Sequence, residues 1–223
     1  DIIKLLTIPK EKITVIYLGA DQKYFIHPEK EKIEAVKAKF DTGKKYFLHV
    51  GTINPRKNLE FLVKAFSKIV SENDNWNLVI TGKKGWYYDN LFKLVKEKGL
   101  EKRVIFTGYI DDDEKHCLLA GAGALVFPSV YEGFGLPPLE ARSAGTPVIS
   151  SSISSMPEVV GEAGILLDPH DEESWSKAML ELTRLNDLRR KLSVAGKERA
   201  KKFSWEKTAR RTIEVYRKVL SER

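Results

Sequence analysis

The stretch YEGFGLPPLEA, residues 131–141, sets two carboxylates, Glu132 and Glu140, eight positions apart. Two glycines, an aromatic and two consecutive prolines stand between them. A carboxylate accepts hydrogen bonds from two neighbouring hydroxyls at once. Pro137 suits the first turn of a helix, where no backbone N–H is needed. The amides of Phe134, Gly135 and Leu136 then fall at a helix N-terminus, which favours anions. Gly133 and Gly135 permit a close backbone approach. Two acids flanking an anion-binding loop could hold a sugar on one side and a ribose on the other. The plain reading is a loop with two solvated glutamates; the glycines and prolines around them favour the chemical one.

A second candidate is GTINPRKN, residues 51–58. Gly51 and Thr52 end an apolar run, and Asn54 or Asn58 can cap the helix that follows. Arg56 and Lys57 would then stand beside a helix N-terminus, where cations oppose the dipole. Either they are a solvated pair or they neutralise a diphosphate, Arg56 as a fork and Lys57 as a point charge. FTGYIDDDE, residues 106–114, offers Tyr109 and Ile110 to flank a flat base, or merely a strand, a turn and a helix capped by Asp111 or Asp112. GKKG, residues 82–85, lacks the spacing of a phosphate-binding P-loop, and no dinucleotide fingerprint occurs. His27, His49, His116 and His170 show no metal spacing, so no metal site is expected and each reads as structural. Cys117 is the only cysteine, in an apolar helical run, and reads as a small buried hydrophobe.

Something must hold these loops in place. Short apolar or β-branched runs recur at 13–18, 46–50, 77–81, 103–107, 124–128, 147–150 and 164–167. Most are continuous rather than alternating, as in strands buried on both faces. Helical patterns lie between them, at 59–70, 86–98, 112–120 and 137–144. Alternating strand and helix predicts an α/β fold, a doubly wound parallel sheet of about six strands. After Leu167 only helices follow, with Asp171 and Ser204 as caps. In such sheets ligands bind beyond the carboxyl ends of the strands, and GTINPRKN, GKKG, GYI and SVYEGFG all follow strand runs.

Apolar residues make up 42% and charged residues 31% of 223, the composition of a globular chain rather than a disordered one. No apolar run approaches the roughly 18–20 residues of a membrane span. The net charge of +7 is concentrated in residues 184–223, where fourteen Lys and Arg face five Asp and Glu. Such a tail can be a solvated face or can meet a partner domain or an anionic membrane surface; no nucleic-acid motif accompanies it. The lone cysteine suits a reducing, cytoplasmic setting. A single glutamine, Gln22, beside many Lys and Glu is a pattern of thermophile proteins. The opening DIIKLLTIPKEK reads as an amphipathic helix already under way, so a piece of a longer protein is expected.

PSVYEGFGLPPLEARSAGTPVI strongly resembles the signature of retaining glycosyltransferases of family 4, whose hallmark of two glutamates separated by seven residues is met by Glu132 and Glu140. HVGTINPRKNLEFLVKAF, VIFTGYI, MPEVVGEAGILLDPHD and FSWEKTA resemble further blocks of that family, in the same order. The resemblance implies one half of a GT-B fold, the Rossmann-like domain that binds the donor. It implies an interdomain linker and first strand at 1–22, the nucleotide-sugar domain at 23–203, and a helix at 204–223 that crosses to an N-terminal domain carrying the acceptor site. Residue by residue, Glu132 would contact the donor sugar and take part in catalysis with Arg56 and Lys57, which would bind the diphosphate. Gly51 and Thr52 would border it, Thr52 standing where many relatives carry arginine. Backbone groups of Phe134, Gly135 and Leu136 would meet sugar and diphosphate, Glu140 the ribose, and Tyr109 and Ile110 the base. The implied donor is a GDP- or UDP-linked hexose with no metal or other cofactor, and the style of GTINPRKN suggests mannose. An isolated domain of this kind would transfer little or nothing. The alternative is a non-catalytic nucleotide-binding or interaction module. The implied location is cytoplasmic, with peripheral contact at the inner membrane face.

Overall fold

The computed structural model describes residues 2–72, 75–86 and 88–221. Six strands make one wholly parallel sheet: β1 (Lys45–Val50), β2 (Trp76–Thr81), β3 (Val104–Gly108), β4 (Ala124–Phe127), β5 (Val148–Ser151) and β6 (Ile165–Leu167). Their order across the sheet is β3-β2-β1-β4-β5-β6. The chain builds outward from β1 to β3, then returns to the far side of β1 and builds outward again. The order therefore reverses between β1 and β4, which pair through Phe47 opposite Ala124 and Leu48 opposite Leu125.

The helices described are α1 (Ile2–Leu6), α2 (Lys30–Lys39), α3 (Leu59–Ser67), α4 (Asp89–Glu97), α5 (Asp112–Gly121), α6 (Leu136–Ser143), α7 (Met156–Val159), α8 (Glu172–Arg184), α9 (Asn186–Ala200) and α10 (Trp205–Ser221). The continuous apolar runs are strands buried on both faces. Phe47, Leu78, Ile80 and Val126 pack with Leu62 and Phe66 of α3, Leu91 of α4 and Trp175 of α8. Tyr46, Leu48, Val79, Leu125 and Phe127 pack on the opposite side with Leu118 and Leu119 of α5 and Ala141 of α6. Cys117 is buried and unpaired with any other cysteine.

Asp111 accepts from the amides of Asp113 and Glu114, while Glu114 reaches back to the Asp111 amide, closing a reciprocal cap on α5. Asp171 and Ser204 cap α8 and α10 as expected. Asn54 and Asn58 do not cap α3. Asn58 sits at the helix boundary with a left-handed backbone (φ 55°), and its side chain donates to Pro169 O at 2.9 Å, tying the loop to the turn before α8. The expected helix at 86–98 begins at Asp89, and Tyr87 lies outside the described residues.

The run at 13–18 is not a strand. It is extended but has no sheet neighbour; Val15 and Tyr17 are exposed, and the only pairing nearby is a bridge from Ala20 to Ser204. Tyr17 is held from outside the sheet, its carbonyl accepting from Thr208 Oγ1 at 2.7 Å and its ring packing against Phe134 and Phe203. β-Branched residues here serve a segment laid along a surface.

α6 is fixed from behind by Arg142, which is wholly buried without an acidic partner. Its guanidinium donates to the carbonyls of Val159 and Gly196, joining α6 to α7 and α9, and burial pushes its pKa down to about 10. α10 has no buried residue.

Gly19 is where the extended segment meets the start of α10, and a Cβ there would overlap the backbone of Ser204 and Trp205. Gly19→Ala is expected to lower stability by about 1–3 kcal/mol, the usual range for overpacking. Chemical denaturation checks it, and the loss should be accompanied by faster proteolysis within α10.

Candidate functional site

The reversal of strand order places the loop after β1 beside the loop after β4, the position at which open α/β sheets bind ligands. The first loop brings Arg56 and Lys57, the second Glu132. Both cations converge on one oxygen: Arg56 Nη1 lies 2.9 Å and Lys57 Nζ 2.6 Å from Glu132 Oε1. Arg56 also donates to Tyr131 O at 2.6 Å. The side chains of Lys57 and Glu132 are only 8% and 11% exposed, whereas Arg56 is 43% exposed. Lys57 lies with its ammonium 4.7 Å from the centre of the Phe127 ring.

Burial and the Arg56 charge push the Lys57 pKa down, against the pull of Glu132. For Glu132 burial acts to raise the pKa, but the hydrogen bond and charge of Lys57 outweigh it and the carboxyl is held below its usual range. The ion pair is therefore formed at neutral pH. Beneath it lies His49, fully buried, stacked on Phe127 and donating from Nδ1 to Val126 O at 3.0 Å. Burial and nearby Lys57 push its pKa down to about 3, so it is neutral. Among the described residues no group of three His, Cys, Asp or Glu could hold a metal ion.

The second loop is held by residues that sequence reasoning passed over. Ser154 Oγ accepts from the Glu132 amide at 3.0 Å and donates to its carbonyl at 2.6 Å; the Ser155 hydroxyl is shared between Glu132 O and Phe134 O at 3.0 and 2.9 Å. The signal was present in the serine-rich SSISS directly after β5, a strand end like the others. Gly135 opens α6 with φ 102°, where a Cβ would run into Met156. Two of the first three residues of α6 are prolines, so the anion-favouring end offers the Leu136 N–H together with those of Gly135 and Phe134, none of which donates to a group among the described residues.

Glu140 is one turn further along α6, 13% exposed and paired with Lys115 of α5 at 3.0 Å. Burial raises its pKa, opposed by Lys115. Gly51 and Thr52 line the Arg56 loop. GKKG is the back wall of that loop: Gly51 donates to Thr81 O, Ile53 to Lys83 O and Gly85 to Ile53 O, continuing the β1–β2 pairing beyond the strands. Tyr109 is 69% exposed beneath the Lys83 ammonium, 4.9 Å from the ring centre. Ile110 is instead turned into the core with Leu118 and Phe127, so only its backbone can face a ligand. The geometry thus joins Arg56, Lys57 and Glu132 directly, sets Phe134–Leu136 beside them and places Glu140 on the same helix.

A six-stranded parallel sheet with cationic and acidic loops meeting at its order reversal is the architecture of the C-terminal half of GT-B glycosyltransferases. The chain belongs to the glycosyl transferases group 1 family, whose profile matches residues 30–199. It is 35% identical over 218 residues to the O-antigen chain mannosyltransferase B of Escherichia coli, covering 97% of this chain and 57% of that protein. It is 36% identical over 186 residues to the O-antigen chain mannosyltransferase RfbU of Salmonella typhimurium, covering 83% of this chain and 48% of that one. The C-terminal domain of a glycosyl transferase group 1 family protein (LpcC) from Francisella tularensis superposes with a TM-score of 0.73 and 26% identity, over 82% of this chain and 97% of that one. The chain spans about half the length of these two mannosyltransferases. No described helix is long and apolar enough to cross a membrane.

Glu132 occupies the cations that a diphosphate would need. Glu132→Gln is therefore expected to bind inorganic pyrophosphate more tightly than the parent chain by roughly tenfold, one charged hydrogen bond's worth of competition, measured by calorimetry. Lys57 must be protonated to attract an anion, and its pKa is lowered. Pyrophosphate affinity should fall as pH rises through a limb that lies below the ordinary lysine value of about 10.4. Lys57→Arg should move that limb out of the measurable range.

Proposed function

We propose that this chain is the donor-binding part of a retaining family 4 glycosyltransferase that moves a hexose, mannose in the first instance, from a nucleotide diphosphate sugar to an acceptor hydroxyl without a metal. The observation that carries this reading is the shared grip of Arg56 and Lys57 on Glu132 Oε1 at the β1–β4 reversal. A buried ammonium beside a guanidinium fork, with free amides at the start of α6, matches the charge and shape of a diphosphate. The carboxylate that now holds them would then be free to meet the attached sugar. The two mannosyltransferase relatives support mannose as the first choice.

Donor binding exchanges one anion for another. The diphosphate takes Arg56 and Lys57, and Glu132 turns to the hydroxyls of the sugar. As the glycosidic bond to the diphosphate breaks, negative charge grows on the leaving oxygen, where the two cations and the Phe134–Leu136 amides stabilise it. The sugar becomes oxocarbenium-like, and the acceptor hydroxyl attacks from the face that the leaving group vacates, passing its proton to the departing diphosphate oxygen. The acceptor would be supplied by an N-terminal domain of the GT-B kind. The exposed Trp205, Ile213 and Tyr216 of α10 form the face that would pack on it, and the basic residues beside them could also meet an anionic membrane surface.

A thermal-shift panel with GDP, UDP and ADP and their hexose forms at millimolar concentration tests the reading. A ligand at about 100 times its Kd raises stability by about 2.7 kcal/mol, so one nucleotide should stand out, with EDTA making no difference. Glu140→Ala should weaken that binding, and Glu132→Ala should affect the sugar nucleotide more than the free nucleotide. A flat panel from the folded chain, or mutants that bind like the parent, would refute the assignment.

A further inference from the structure

α5 and the short turn at Gln22–Phe25 lie outside the two loops already described, yet both reach Glu140. Lys115 Nζ donates to Glu140 Oε1 at 3.0 Å and pairs with Asp112 Oδ1 at 3.1 Å. Its ammonium lies 5.4 Å from the centre of the Tyr24 ring, where the phenol oxygen favours its charge. Tyr24 is buried at 2% exposure, in a 3₁₀ turn capped by Asp21, with its ring edge-on to His116 at 5.2 Å. Glu140, Asp112 and the Tyr24 ring thus surround the ammonium. What Lys115 can do there is decide where the carboxylate points.

We propose that Lys115 and Tyr24 are positioning residues that tie down one oxygen of Glu140 and aim the other at the ribose hydroxyls of the donor nucleotide. This rests on the reading of Glu140 as the ribose-holding group. Lys115 engages Oε1, and among the described residues Oε2 has no hydrogen bond. A single hydrogen-bonded oxygen leaves a carboxylate free to swing about its last torsion. Tyr24 removes that freedom indirectly: packed in the core, it fixes the ammonium, and the ammonium fixes Oε1. Charge is the second part of the role. Burial raises the Glu140 pKa and Lys115 opposes it. A carboxyl that lost Lys115 would be drawn toward its protonated form, which accepts hydrogen bonds more weakly. The burial of Tyr24 and the nearby Glu140 charge push its own pKa up to about 12, so it stays a neutral phenol beside Lys115.

The experiment measures calorimetric affinities of the full chain for GDP, UDP and ADP and for their 2′,3′-dideoxy forms, in the parent, Lys115→Met and Tyr24→Phe. For the nucleotide that binds, the parent should prefer the ribose form by roughly tenfold or more, the value of a hydrogen bond to a charged group. Lys115→Met should bring that preference to within about twofold while leaving dideoxy affinity nearly unchanged, and Tyr24→Phe should fall between. A merely structural role would weaken both forms alike and leave their ratio intact. Tyr24→Phe removes only a hydroxyl and keeps the ring, so it decides the matter if Lys115→Met fails to fold. A parent that prefers ribose with both variants keeping the ratio would overturn the positioning role and leave Glu140 as the ribose group. A parent that binds both forms equally would overturn the reading of Glu140 itself.

Discussion

Lys57 carries its charge where little water reaches it, with 8% of its side chain exposed and an aromatic face against its ammonium. Isolated charges are not tolerated in such a place; they are paired or they neutralise. Glu132 supplies the pair, and it comes from a segment 75 residues away. Everything around the site serves that meeting. The sheet must reverse its order between β1 and β4, the Arg56 loop must be backed by GKKG, and the Glu132 loop must be pinned by Ser154 and Ser155. The same pair also explains how the site can be stable when empty. An internal anion holds the cations, so the apolar shell is not left facing an uncompensated charge.

A second acid–base pair stands one helical turn along α6, built on a different principle. Arg56 is partly exposed and accessible to a ligand, so the first pair can open. Lys115 is enclosed by Glu140, Asp112 and a buried tyrosine, so the second pair has less room to open. Under the proposed reading, a nucleotide site would use both: one carboxylate that changes partners and one that keeps its place. Arg142, buried in the same helix and bonded only to carbonyls of α7 and α9, gives α6 the rigid seat that this division needs.

The helices beyond the sheet divide as well. α8 and α9 close the fold, Trp175 and Met179 packing under β-strands and α3. α10 projects with no buried residue, held at its base by Ser204, Thr208 and the extended segment at Tyr17. The ring of Tyr17 touches both Phe134 of the Glu132 loop and Phe203 before α10. The segment that leads into the domain, the loop at the site and the helix that leaves it are thus in mutual contact.

Much of this was legible in the residues. Continuous apolar runs alternating with amphipathic helices specify a doubly wound parallel sheet, because a strand buried on both faces has no polar side to show. Glycines, prolines and charges at strand ends mark the loops, since backbone geometry and charge there are local properties. Glu132, Glu140, Arg56 and Lys57 followed from residue type and spacing. Tertiary structure decided the rest. The run at 13–18 looked like a strand because β-branched residues suit any extended chain; only the absence of a sheet neighbour excludes it. Ile110 looked like a base-flanking residue, but the direction of its side chain depends on how β3 hands over to α5. The asparagines looked like caps, but the Asn58 side chain instead donates to a carbonyl 111 residues away. That Arg56 and Lys57 share one oxygen of Glu132, and that Tyr24 reaches Glu140 through Lys115, depends on contacts between distant segments. Local sequence sets which groups are present and how each element forms. Which groups meet is set by the packing that buries them together.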